Sequence, residues 1–91
     1  MLEELAAEIV NPAGLSERQA EVLRLICEGA TDKSIARRLA ISAKTVAANT
    51  DQIYLRMAIR QDAINMRCTA IATAVARGMV RLNIGRVQGA A

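Results

Sequence analysis

The chain is expected to fold as a single small all-α domain, and three observations predict it. Aromatic mass is nearly absent: the 91 residues include one Tyr and neither Phe nor Trp. The core must therefore come from Leu, Ile, Val, Met and Ala, which suits close-packed helices better than a sheet, where aromatic and β-branched residues are favoured. Apolar residues recur at steps of three and four, the signature of one helical face. Helix-starting residues, Ser16, Thr31 and Ser42, stand at intervals that fit short helices. The length leaves room for one domain. A chain of this size buries only roughly 60–65% of its unfolded surface, so a partner or second copy is expected to help stabilise it.

The elements follow in order. Met1 to Val10 carries Leu2, Leu5, Ala6 and Ile9 at helical spacing, which predicts a short helix whose apolar residues cover the domain. Asn11-Pro12-Ala13-Gly14 breaks it. Ser16 and Gln19 have the spacing of a capping box, each side chain satisfying a backbone N–H at the start of the next helix. Val22, Leu23 and Ile26 form that helix's inner face, and Gly29 stands where a left-handed C-cap is needed. Thr31 caps a short second helix with Ile35, Ala36 and Leu39 inward. Ala40-Ile41 form a tight turn, and Ser42 caps a third helix in which Val46, Thr50, Ile53 and Met57 repeat. The stripe Ile64, Cys68, Ile71, Val75 and Met79 predicts a last helix from about Asp62 to Arg77, ended by Gly78. Asn83 to Ala91, with little apolar mass, reads as a loose tail. The boundaries expected are 1–14 for the N-terminal helix and linker, 15–80 for the domain and 81–91 for a flexible tail.

Two packed helices, a tight turn and a third helix with an exposed N-terminal half make the grammar of a helix-turn-helix. The stretch from Leu15 onward resembles the LuxR-type (GerE-like) helix-turn-helix. The resemblance is carried by Leu15, Ser16, Arg18, Glu21-Val22-Leu23, Gly29, Lys33, Ile35-Ala36, Leu39, Ile41-Ser42, Thr45-Val46, Ile53 and Tyr54, and more weakly by Ala70-Ile71, Ala74 and Gly78-Met79-Val80. Bacterial sigma-factor region 4 has similar grammar, but the spacing from Glu-Val-Leu to Gly and the fourth helix favour the LuxR type. The resemblance implies a four-helix domain in the bacterial or phage cytoplasm, with the third helix, starting at Ala43, in the major groove and the fourth often forming a dimer.

Three departures bear on function. Where the LuxR type usually places a basic residue and later a histidine, this chain has Ala47, Ala48 and Asn49, with Asp51 adding a negative charge. Basic contacts to phosphate supply most non-specific affinity, so their loss is costly. About five extra residues separate the third helix from the recognisable part of the fourth, which predicts a lengthened last helix. Finally, no receiver or ligand-sensing segment precedes the motif, so a standalone domain is expected.

On this reading the DNA-binding residues are Lys33, Arg37, Arg38, Lys44, Thr45, Ala47, Ala48, Asn49, Asp51 and Arg56. The alanines are expected to touch thymine methyls and Asp51 to accept from cytosine N4. The dimerisation residues are Ile64, Cys68, Ile71, Val75 and Met79. The partners are double-stranded DNA and a second copy, with another transcription regulator or RNA polymerase under a rival reading. In that rival the chain is a co-regulator or anti-activator that pairs through its last helix. The charge is uneven, −3 over residues 1–14 and +3 over each of 15–60 and 61–91, which is compatible with nucleic acid.

No catalytic site is expected: there is no histidine, no paired-carboxylate pattern and no phosphate-cradling Gly loop. No cofactor or metal is expected either. Cys27 and Cys68 fall at apolar helical positions and read as small hydrophobes rather than a disulfide. No apolar run is long enough to span a membrane.

Overall fold

The computed structural model describes residues 2–87, with side chains over 4–84. Four helices and two strands run in the order β1 (Leu2–Ile9), α1 (Glu17–Cys27), α2 (Asp32–Leu39), α3 (Ala43–Arg56), α4 (Met66–Ala76) and β2 (Val80–Val87). The first three helix-turn-helix helices lie where expected, but the molecule is not purely all-α, because its two ends pair as an antiparallel sheet.

Helix starts behave as their sequence dictates. Ser16 Oγ accepts from Gln19 N–H at 3.1 Å while Gln19 Oε1 accepts from Ser16 N–H at 3.0 Å, closing the capping box of α1. Thr31 and Ser42 cap α2 and α3 through Ser34 N–H and Thr45 N–H. Helix ends share one lock. Gly29, Ala40, Ala58 and Gly78 all adopt positive φ. The residue after each donates to the carbonyl five positions back, as from Ala30 to Leu25, Ile41 to Ala36, Ile59 to Tyr54 and Met79 to Ala74. This Schellman pattern satisfies the carbonyls that the last turn leaves open.

The core lies between α1, α2 and α3. Val22, Leu23, Ile26, Ile35, Val46 and Ile53 are fully buried there. Helix α4 closes the back of α1 through Ala70 and Ala74, also fully buried, whose small side chains permit close approach. The sheet covers α1 with Ala7, Ile9, Val80 and Leu82. Glu28 at the end of α1 ties the sheet down: its Oε2 accepts from Ala7 N–H at 3.0 Å and from Arg24 at 2.9 Å.

Three expectations need correction. Residues 2–9 form a strand, not a helix. Leu5, Ala7 and Ile9 alternate onto one face, opposite Ile84, Leu82 and Val80, and the partner strand seventy-odd positions away supplies the backbone bonds. Residues 81–87, expected as part of a loose tail, belong to that partner strand; residues 88–91 lie outside the described range. The last helix is not lengthened at its start. It begins at Met66 behind the N-cap Asn65, whose Oδ1 accepts from Cys68 N–H at 2.9 Å. The preceding segment is a turn in which Arg60 grips Asp62 with two bonds. Among the described residues no helix is long and apolar enough to cross a membrane.

Candidate nucleic-acid interface

Helix α3 presents two unlike sides. Val46, Thr50 and Ile53 point into the core. The Thr50 hydroxyl, buried beside them, donates to Val46 O at 2.9 Å and so brings no unpaired polar group inside. Lys44, Ala47, Ala48, Asp51, Gln52 and Leu55 are exposed and fall at steps of three and four, forming one outward stripe. The two tight junctions, α1 to α2 and α2 to α3, fix that stripe relative to α2, where Lys33, Arg37 and Arg38 are also exposed.

The polar groups at the start of α3 are partly committed. Thr45 Oγ1 lies 2.9 Å from Ser42 Oγ, so its hydroxyl belongs to the cap. Asn49 is half-buried, and its Nδ2 donates to Thr45 O at 2.9 Å, one turn back along the helix. Lys44 and Asp51 enter no ion pair among the described residues. Arg38 stands 3.8 Å from Glu28, a loose contact with a half-exposed side chain.

Much of the positive charge is structural. Arg24 bridges Glu21 and Glu28 on α1, and its guanidinium holds the Glu21 carboxyl below the ordinary carboxylate range. Arg67 bonds the Ala30 carbonyl and Asp32, clamping α4 to the α1–α2 junction. Arg77 donates to Met57 O at 2.7 Å, closing the end of α3. Arg56, counted above among the DNA-binding residues, donates to Gly14 O at 3.1 Å. The cations clear of such bonds near the outer face of α3 are therefore Lys33, Arg37, Lys44 and, more loosely, Arg38. Gln52 and Leu55, absent from the expected DNA-binding residues, share the stripe; the helical steps of four and three from Ala48 are the sequence signal for them. Leu55 is 62% exposed.

The residues expected to form a dimer seam do not share one face. Met79 is buried in the core at 2% exposure, beyond the end of α4. Ile71 is half-buried against the core. Ile64 is fully exposed in the turn before the helix. Cys68 and Val75 are exposed on α4 itself, with Ala72 between them.

Capped short helices, a tight turn and an uncovered third helix define a helix-turn-helix protein. The family described as bacterial regulatory proteins, luxR family, matches residues 13–67, more than half of the chain, and the chain belongs to that family. It is thereby a DNA-binding transcription regulator in kind. The match takes in α1, α2 and α3 and stops at the start of α4, so both strands of the sheet lie outside it. No curated protein matches the chain.

Proposed function

We propose that the chain regulates transcription by binding double-stranded DNA as a homodimer, each copy placing α3 in the major groove. The observation that carries this reading is the outer stripe of α3: within a luxR-family domain, it is anchored from behind and exposed among the described residues. Helix-turn-helix domains use that surface for base edges and the preceding helix for the backbone. Lys44, Thr45, Ala47, Ala48, Asn49 and Asp51 face the bases and nearby phosphates on this reading. Lys33, Arg37 and Arg38 contact phosphate from α2, and Arg56 does so if it leaves the Gly14 carbonyl.

The dimer seam is reduced to the exposed side of α4, Cys68, Ala72 and Val75, with Ile64 and Ile71 at its border; Met79 belongs to the core. Small residues at steps of four and three let two such helices approach closely. The test is fluorescence anisotropy with a duplex enriched from a random pool. Lys44→Ala and Arg38→Ala are each expected to weaken binding and reduce the salt slope by about 1 per protomer. Unchanged affinity and slope in both variants contradict the placement.

A second reading has one observation in its favour: Ala47, Ala48 and Leu55 make the outer stripe unusually apolar for a surface that meets phosphates. Under it the domain pairs through α4 with another regulator or RNA polymerase, as co-regulator or anti-activator. It predicts no enrichment of any duplex and loss of pairing on Val75→Asp.

A further inference from the structure

We infer that Asp51 sets the sequence specificity of this regulator by penalising every duplex and recovering that penalty only at a cytosine. The inference rests on the DNA-reading function proposed above and names what that surface selects. Sequence spacing marks Thr45, Asn49 and Asp51 alike as polar groups near the bases, but the structure separates them. The Thr45 hydroxyl is engaged with Ser42 Oγ, and the Asn49 amide nitrogen with the Thr45 carbonyl. Asp51 is exposed and enters no ion pair among the described residues. Its stripe neighbours toward the start of the helix are the methyl groups of Ala47 and Ala48, with Lys44 beyond them.

A carboxylate only accepts hydrogen bonds. In the major groove guanine presents only acceptors, adenine sets its N6 amino donor beside the N7 acceptor that repels a carboxylate, and cytosine presents the N4 amino donor with no acceptor on its own edge, so cytosine is the base that fits Asp51. Phosphates line the groove on both sides, and a negative charge there is repelled whatever the sequence. The carboxylate therefore works twice. It lowers affinity for random DNA, and it restores affinity where a cytosine amino group meets it. The methyl groups of Ala47 and Ala48 cannot hydrogen-bond and suit thymine C5-methyl groups beside that cytosine. A surface poor in cations thus gains discrimination from the same charge that weakens its hold on phosphate.

The experiment uses the full chain and its Asp51→Ala variant, which removes the carboxylate and leaves no donor or acceptor in its place. Each is put through selection from a random duplex pool, then titrated by anisotropy against its enriched duplex and one random-sequence duplex at two salt concentrations. The expected result is a variant that binds the random duplex several-fold tighter. At one position where the wild type selects C·G, the variant accepts all four pairs, losing about ten-fold in discrimination. If the wild type enriches a motif and the variant keeps both the motif and the random affinity, the inference is overturned while DNA reading stands. Tighter binding everywhere with the motif unchanged also overturns it, leaving Asp51 a repulsive charge without a readout. If neither protein enriches or binds any duplex at low salt, the proposed function itself fails and the inference falls with it.

Discussion

Single residues in this molecule carry opposite kinds of work that share one chemistry. Cys27 and Cys68 are both free thiols, but Cys27 is buried and Cys68 exposed. Burial, with a smaller effect from Glu28, pushes the Cys27 thiol up to about 11. At pH 8 it stays protonated and shielded, so a thiol reagent is expected to titrate one cysteine in the native protein and two in urea. Rapid reaction of both in the native state contradicts the packing. The raised value also has a stability consequence. The folded state holds the proton more tightly than the unfolded chain, so this contribution is complete below the ordinary thiol value near 9 and is lost as pH climbs to about 11.

Ala58 shows a different strain. It closes α3 with φ of 55°, a left-handed conformation that costs an L-residue roughly 1–2 kcal/mol, part of which Gly returns as chain entropy in the unfolded state. Ala58→Gly is expected to raise stability by about 0.5–1 kcal/mol in urea unfolding. A loss of stability means the turn is held otherwise.

At the scale of elements, capping decides where helices begin. Asn65 supplies the side-chain acceptor for α4, and Asn65→Ala is expected to cost about 1 kcal/mol and to fray that helix first. Hydrogen exchange at Cys68 and Thr69 amides is the readout; unchanged protection there argues against the cap. This same cap explains one misreading. Ile64 continues the apolar stripe by spacing, which predicts a helix start before Asn65, although Ile64 is fully exposed.

What was legible in the sequence was local. Ser16 with Gln19, Gly29, Thr31, Ala40-Ile41 and Ser42 each act through bonds to residues within a few positions, and all fall in their expected places. What was not legible was long-range. Leu2, Leu5 and Ile9 satisfy a helical spacing and Leu5, Ala7 and Ile9 a strand alternation equally well over so short a segment. Only the pairing of Ile9 with Val80 and Leu5 with Ile84 decides between them. The arginine clamps were hidden for the same reason: nothing near Arg67 in the chain points to the Ala30 carbonyl. Of the DNA-reading surface, the exposed positions on α2 and α3 were readable from periodicity, whereas the internal bonds of Thr45 and Asn49 required coordinates.

For the whole molecule, the formal charge of +3 overstates nothing and explains little until its arginines are sorted. Arg24, Arg56, Arg60, Arg67 and Arg77 bond carboxylates or carbonyls of the fold itself. Lys33, Arg37, Arg38 and Lys44 remain near the reading face. Four phosphate contacts per domain give a logarithmic salt slope of about −3.6, so affinity per domain is expected to fall about 100-fold between 50 and 200 mM salt. A slope near zero in an anisotropy titration contradicts any groove-facing role for α2 and α3.

Contact between the outer stripe of α3 and DNA is read residue by residue in amide chemical-shift mapping. An isotopically labelled chain is titrated with its enriched duplex. The largest shifts are expected at Lys44, Ala47, Ala48 and Asp51, followed by Lys33 to Arg38. Shifts confined to α4 or the sheet, with α3 unmoved at saturation, contradict that contact.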